Sequence, residues 1–253
     1  MSHRLSSVLS WAHDSPNGAQ AKEIAMKVGI IGSGNMGRAV GVRLAQSGHE
    51  VMFGARRAAQ AAAAAERAAN GALAGSTDEA AAFGEVLVWT IRDPQPSAVL
   101  SKPETLEGKV VLDLNNRDYA NEVRQGAWFE AAIAERLQAA APKAKVVKAL
   151  NTIAMEAFDT SPDALRQAGA QSFIAGDDKD AKAAVAKLLN DLGFTAVDLG
   201  KGTAAMRAAE ALGDIVRLLM IDGGQGGRAN LQLRRLPEPD LATIGERGAS
   251  DYR

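Results

Sequence analysis

The chain has 253 residues, a formal net charge of -1, no cysteine and three histidines. That length suits one extended core, and the near-zero charge removes the electrostatic case for nucleic acid or an anionic membrane as a main partner. Without cysteine there is no disulfide framework, thiolate nucleophile or cysteine zinc site, and His3, His13 and His49 are too scattered for a histidine metal site or a catalytic triad.

Residues 1–25 carry no motif and are expected to form a flexible extension ahead of the first strand. No apolar run reaches the length that spans a bilayer, and the start lacks a signal-peptide core. The expectation is a soluble, cytoplasmic protein with no membrane partner. Met26 to Gly37 then reads as a buried strand breaking on glycines into a helix. Gly32 permits the tight turn, Gly34 lets backbone amides approach a pyrophosphate, and Gly37 lets the helix pack closely on the strand. Ser33, Asn35 and Met36 complete the turn and open the helix, whose free N–H groups favour an anion. A purely structural turn is the competing reading; the strand before and helix after favour a dinucleotide site.

The helix predicted over 35–47 stops at Gly48, and Glu50 to Phe53 form a second strand, closing a βαβ unit. An NAD site normally ends that strand with Asp or Glu for the ribose hydroxyls. Here the chain reads Gly54-Ala55-Arg56-Arg57. Two guanidiniums beside the expected adenosine ribose suit a 2′-phosphate and point to NADP(H), against the alternative of solvated surface arginines. An alanine-rich crossover helix over 58–69, a short strand at 73–74 and a helix opening at Ser76 or Thr77 follow.

Near-continuous apolar runs at 85–91, 109–114 and 145–150 are strands buried on both faces, the last preceded by an amphipathic helix over about 128–140. The fold class is α/β, a Rossmann-like doubly wound parallel sheet whose ligands collect at the C-terminal strand ends. Those ends should bring Gly32-Ser33, Gly54 to Arg56, Thr90 to Arg92, Asn115-Asn116 and Asn151-Thr152 to one crevice. Strands over 171–176 and 194–198, flanking a helix over 179–192, extend the sheet. A long apolar helix over 203–221 forms a small C-terminal extension. The predicted divisions are 26–200 for the NADP-binding domain, 201–233 for the C-terminal helix and 234–253 for a tail.

The crevice shows no histidine to deliver a proton beside a hydride. Lys148, Asp113 and Tyr119 are the nearest candidates, but Lys148 also reads as a snorkelling or ion-paired lysine and Asp113 as a carboxylate bonding neighbouring amides. Exchange of hydride between a nicotinamide and a flavin-like ring needs mainly stacking and alignment, and so tolerates such a site.

VGIIGSGNMG, HEVMFGARR, VVKALNTI and FIAGDDKDAKAAVAKLLNDLGFTAVDLG together resemble the F420-dependent NADP oxidoreductase family, from about Met26 to the C-terminal helix. The resemblance implies a homodimer exchanging hydride between NADPH and coenzyme F420 or another flavin-like, small-molecule redox acceptor. It places NADP contacts on Ser33 to Met36, Arg56 and Arg57, near Ile91, and on Ala149 and Asn151. Arg207 and Glu210 resemble an Arg-x-x-Glu element, expected to form a buried ion pair that holds the last helix. The chain departs from the family pattern at Ala55, where a serine is usual, and at Arg92, Asn151 and Ala154 toward the acceptor. GIIGSGNMGRAV also resembles pyrroline-carboxylate reductases, which leaves an imine reductase as an alternative, and a nonenzymatic NADPH sensor is a third.

Overall fold

The structure, a computed structural model, describes residues 25–237; the expectations for the first 24 residues and for 238–253 lie outside the described residues. In chain order the elements are β1 (Lys27–Ile31), α1 (Asn35–Gln46), β2 (Glu50–Gly54), α2 (Ala58–Ala68), β3 (Leu73–Gly75), α3 (Thr77–Phe83), β4 (Val86–Trp89), β5 (Val110–Asp113), α4 (Ile133–Ala140), β6 (Lys145–Lys148), α5 (Pro162–Gln167), β7 (Gln171–Gly176), α6 (Lys179–Asp191), β8 (Thr195–Asp198) and α7 (Gly202–Ile221). All eight strands join one sheet in the order β3-β2-β1-β4-β5-β6-β7-β8.

The sheet is covered on both faces, as its apolar strands require. Val40 and Leu44 of α1, the Ala61, Ala64 and Ala68 stripe of α2, and Val185 and Leu188 of α6 pack on one face. Ala80 and Ala81 of α3, Ala134 and Leu137 of α4, and Ala205, Met206 and Ala209 of α7 pack on the other. The alanines let the helices approach closely, which is how a chain so poor in aromatics fills its core.

Two expectations need correcting. The sheet is parallel from β3 to β6, but β7 runs antiparallel to β6, pairing Val147 with Gly176 and Lys148 with Ala175. A parallel return needs a crossover of a dozen or more residues, usually a helix across one face. Between β6 and β7 the chain has only a 3-10 turn at Met155–Asp159 and the six-residue α5, which buries none of its residues. It therefore turns over the carboxyl end and descends, with Leu150 N–H donating to Ser172 Oγ at 3.0 Å at the junction. Secondly, the helix expected from about Trp128 begins at Ile133. Arg117 holds the preceding segment irregular by donating to Ala127 O at 2.7 Å and by lying over the Phe129 ring.

After α7 the chain bends back to β7, where Asn230 and Leu233 bond both the backbone and the side chain of Gln171. No helix among the described residues is long and apolar enough to cross a membrane.

Candidate functional site

Between β1 and β4 the order of connection reverses, since β2 and β3 lie to one side and β5 onward to the other. In open α/β sheets the crevice outside the strand ends at that point is where ligands bind. Two adjoining cavities occupy it here, of about 510 and 260 Å³, sharing Gly34 and Thr90 in their walls.

The larger cavity is built on the glycine turn. Gly32 has φ +104°, and a β-carbon there would lie 2.5 Å from Thr90 Oγ1. A β-carbon at Gly37 would run into Gly32 O, so the first turn of α1 sits directly on the loop. At Gly34, by contrast, a β-carbon would meet nothing within 4 Å: its backbone faces open crevice. Gly34 is also the N-cap of α1, which has no side-chain cap and no acidic residue in its first turn. The N–H groups of Asn35, Met36 and Gly37 are therefore those that an intrahelical bond leaves available to an anion.

Polar side chains hold this loop from three directions. Ser33 is buried and its hydroxyl donates to Gly54 O at 3.0 Å, so it ties β1 to β2 instead of presenting a free hydroxyl. Thr90 Oγ1 donates to Gly32 O at 2.7 Å. Gln60 Nε2 donates to Ser33 O at 2.8 Å, while its Oε1 accepts from Arg57 at 3.2 Å. Arg56 and Arg57 are exposed and line the same cavity with Ala55 and Ile91.

The smaller cavity lies toward α7 and is lined by Asn35, Met36, Arg92, Asn115, Asn116 and Arg217 among others. Arg217 projects from α7 and donates to Arg117 O at 2.6 Å. No carboxylate, histidine, lysine or tyrosine lines either cavity.

Ala149 and Asn151 are not brought to the crevice surface; both are buried. Asn151 Nδ2 donates to Ala209 O at 2.7 Å in α7, and Asn116 Nδ2 donates to Asn151 O at 2.6 Å. Asn151 thus props Asn116 from below.

The three acid–base candidates are likewise placed. Lys148 is fully buried, with Nζ 3.0 Å from Asp113 Oδ2 and 2.8 Å from Glu210 Oε2, and donates to Asn115 O at 2.7 Å. Burial alone would depress its pKa, but Asp113 and Glu210 outweigh that and raise it above the ordinary lysine value. Tyr119 donates to Asp222 on the surface, and its ring lies under Arg217.

The expected Arg207–Glu210 pair does not form. Three residues apart on α7, Arg207 reaches outward to Glu135 at 3.0 Å, while Glu210 points inward to Lys148 and also accepts from the Arg117 and Ile133 backbone amides. Thr90 reaches the crevice as expected, whereas Gln60 and Arg217 went unread in the sequence. Gln60 sits in an alanine-rich helix and Arg217 in an apolar one, and nothing local says that either points into the crevice.

Residues 27–117, from β1 through the crevice loops, match the family described as NADP oxidoreductase, coenzyme F420-dependent. This part of the chain is similar to that family. The F420-dependent NADP oxidoreductase likeness extends to solved structures: a candidate F420-dependent NADP reductase from Arthrobacter sp. FB24 superposes with a TM-score of 0.68 at 27% identity, over 83% of this chain and 100% of that one. Metalloreductase STEAP3 of Rattus norvegicus is 30% identical over 194 residues, 77% of this chain and 38% of that protein. The chain therefore spans well under half the length of the metalloreductase relatives it matches. An imine reductase from Aspergillus terreus shares the fold, with a TM-score of 0.53 at 23% identity over 79% of this chain and 63% of that one.

Proposed function

We propose that the protein binds NADP(H) in the crevice and transfers hydride between it and a flavin-like acceptor, with the deazaflavin coenzyme F420 as the first candidate. One observation carries this reading: the crevice has two guanidiniums at its adenosine end, Arg56 and Arg57, and no proton donor with a tunable pKa along its length.

Bound NADPH would supply the hydride from nicotinamide carbon 4. The residues present fit that cofactor. The amides of the turn from Gly32 to Gly37, with Ser33, Asn35 and Met36 between the glycines, take the diphosphate. Arg56 and Arg57, set on Ala55, take the 2′-phosphate in the place where an NAD site carries an acid. Ile91 flanks the nicotinamide half, and Asn151 acts from beneath by positioning Asn116. What the chain then contributes is alignment of two rings and exclusion of water, which ring-to-ring hydride exchange chiefly needs.

The resemblance further implies a cytoplasmic homodimer; the exposed Ile215, Leu218, Leu219 and Ile221 on α7 offer an apolar face for it. Sedimentation of the full chain as a monomer at micromolar concentration would exclude the dimer.

Stopped-flow oxidation of NADPH with coenzyme F420, FMN, FAD, a ferric chelate and a cyclic imine tests the function. Rapid turnover of a flavin-like acceptor is expected. Turnover of the imine alone would replace this reading with an imine reductase, and tight NADPH binding without any turnover would replace it with a sensor.

A further inference from the structure

We propose that the acceptor end of the crevice is an anion site in which Arg92 and Arg217 hold a phosphate or carboxylate carried by the hydride acceptor. The proposal rests on the reading above, in which the acceptor enters opposite the nicotinamide.

The two arginines come from different parts of the chain, one following β4 and the other on the last helix, yet they line the same cavity of about 260 Å³. Neither forms an ion pair with a carboxylate among the described residues. Asp214, the acid nearest to Arg217 on α7, has one oxygen engaged twice by Arg117, at 2.7 and 3.1 Å. Asp118 accepts from the Asn121 backbone amide, capping its own turn. Arg217 is also preorganised: one amino group donates to Arg117 O, and the guanidinium lies 5.0 Å from the Tyr119 ring centre. That geometry leaves its remaining donors for the cavity.

Like charges gathered at a partly buried cavity are costly unless something offsets them. Burial first, and then the charge of Arg92, lower the Arg217 pKa below its ordinary value, and the opposing charges of Asp214 and Asp118 offset this only in part. An anion between the two offsets their mutual repulsion, and planar guanidinium forks suit phosphate and carboxylate equally. Asn115 and Asn116 add amide groups to the same wall. The α1 amides that take the diphosphate open onto the same cavity, so the NADPH affinity of the arginine variants separates an anion of the acceptor from the cofactor's own.

FMN and riboflavin share one ring and differ by a phosphate; a flavin with a carboxymethyl chain on N10 supplies the carboxylate arm. Binding to the full chain, saturated with NADP+, is read by flavin fluorescence. FMN should bind about tenfold more tightly than riboflavin, a typical effect of one charge-assisted contact. Arg92→Gln and Arg217→Gln should each remove most of that ratio while leaving riboflavin affinity and the NADPH Kd unchanged. The exposed Arg92 gives a variant that does not disturb the α7 contacts. Comparison of the FMN and carboxymethyl arms says which anion is preferred. Equal affinity for FMN and riboflavin, binding of neither, or a ratio that survives both substitutions would overturn the proposal. A parallel loss of NADPH affinity would also overturn it, because the arginines would then serve the cofactor's diphosphate. Retained FMN preference with no NADPH oxidation would sink the hydride-transfer function and leave the anion site standing.

Discussion

Lys148 Nζ lies 2.8 Å from Glu210 Oε2 with both side chains fully buried, so a central strand and the last helix are joined by an ion pair inside the core. Asp113 completes the group from the neighbouring strand. The group lies behind Asn115, which lines the crevice, and none of its members reaches the cavity surface.

Replacing Lys148 by Met leaves two carboxylates buried without their cation. Breaking such a group by removing one partner costs about 3–5 kcal/mol. Urea unfolding of Lys148→Met should show a loss of that size, and a loss below about 1 kcal/mol would contradict the buried triad. The pH dependence has a definite sign. A folded pKa raised above the unfolded value of about 10.4 contributes stability that is complete below that pH and is lost as pH rises through the folded pKa. As pH rises above about 10.4 the wild type should therefore lose stability more steeply than Lys148→Met.

Arg56→Asp restores the acid that an NAD site carries and sets it against a 2′-phosphate. NADPH affinity should fall by about tenfold or more while NADH affinity holds or improves. A binding titration that finds unchanged selectivity would remove the arginine from the cofactor site.

Gln60→Ala removes the bond that holds Ser33 O from α2. Because Gln60 lies at the cavity wall and outside the core, thermal stability should change little. The glycine loop would lose one of its three restraints, and NADPH Kd should rise about three- to tenfold, the size of one neutral hydrogen bond. A fall in melting temperature with no change in Kd would mark it as a structural residue only.

A β-carbon at Gly213 would lie 2.6 Å from Asn151 Nδ2 and collide with Asn116 Oδ1. Gly213→Ala should therefore cost about 1–3 kcal/mol, the range for overpacking, and shift the amide resonances of Asn115 and Asn116. Unchanged resonances would show that α7 does not set the crevice wall.

What was legible in the sequence is what short-range chemistry decides. The turn at Gly32 to Gly37 declared itself because only glycine tolerates that backbone and that helix contact. The strands declared themselves as apolar runs and α6 as a helix over 179–192; its cap, the Asp178 side chain accepting from Ala181 N–H, came from the structure. The cationic end of the crevice was equally plain, since Arg56 and Arg57 follow a strand whose end is fixed by sheet topology.

By itself the sequence determined the doubly wound sheet, the glycine turn and the cationic pair beside it. Only the tertiary structure decided the direction of β7, the inward turn of Glu210 away from Arg207, the burial of Ala149 and Asn151, and the meeting of Arg92 with Arg217. The physical reason is common to all four. Periodicity and turn chemistry act over a few residues, whereas these placements depend on which long-range neighbour a side chain or strand meets. Lys148 and Glu210 are 62 positions apart in the chain, and nothing near either one names the other.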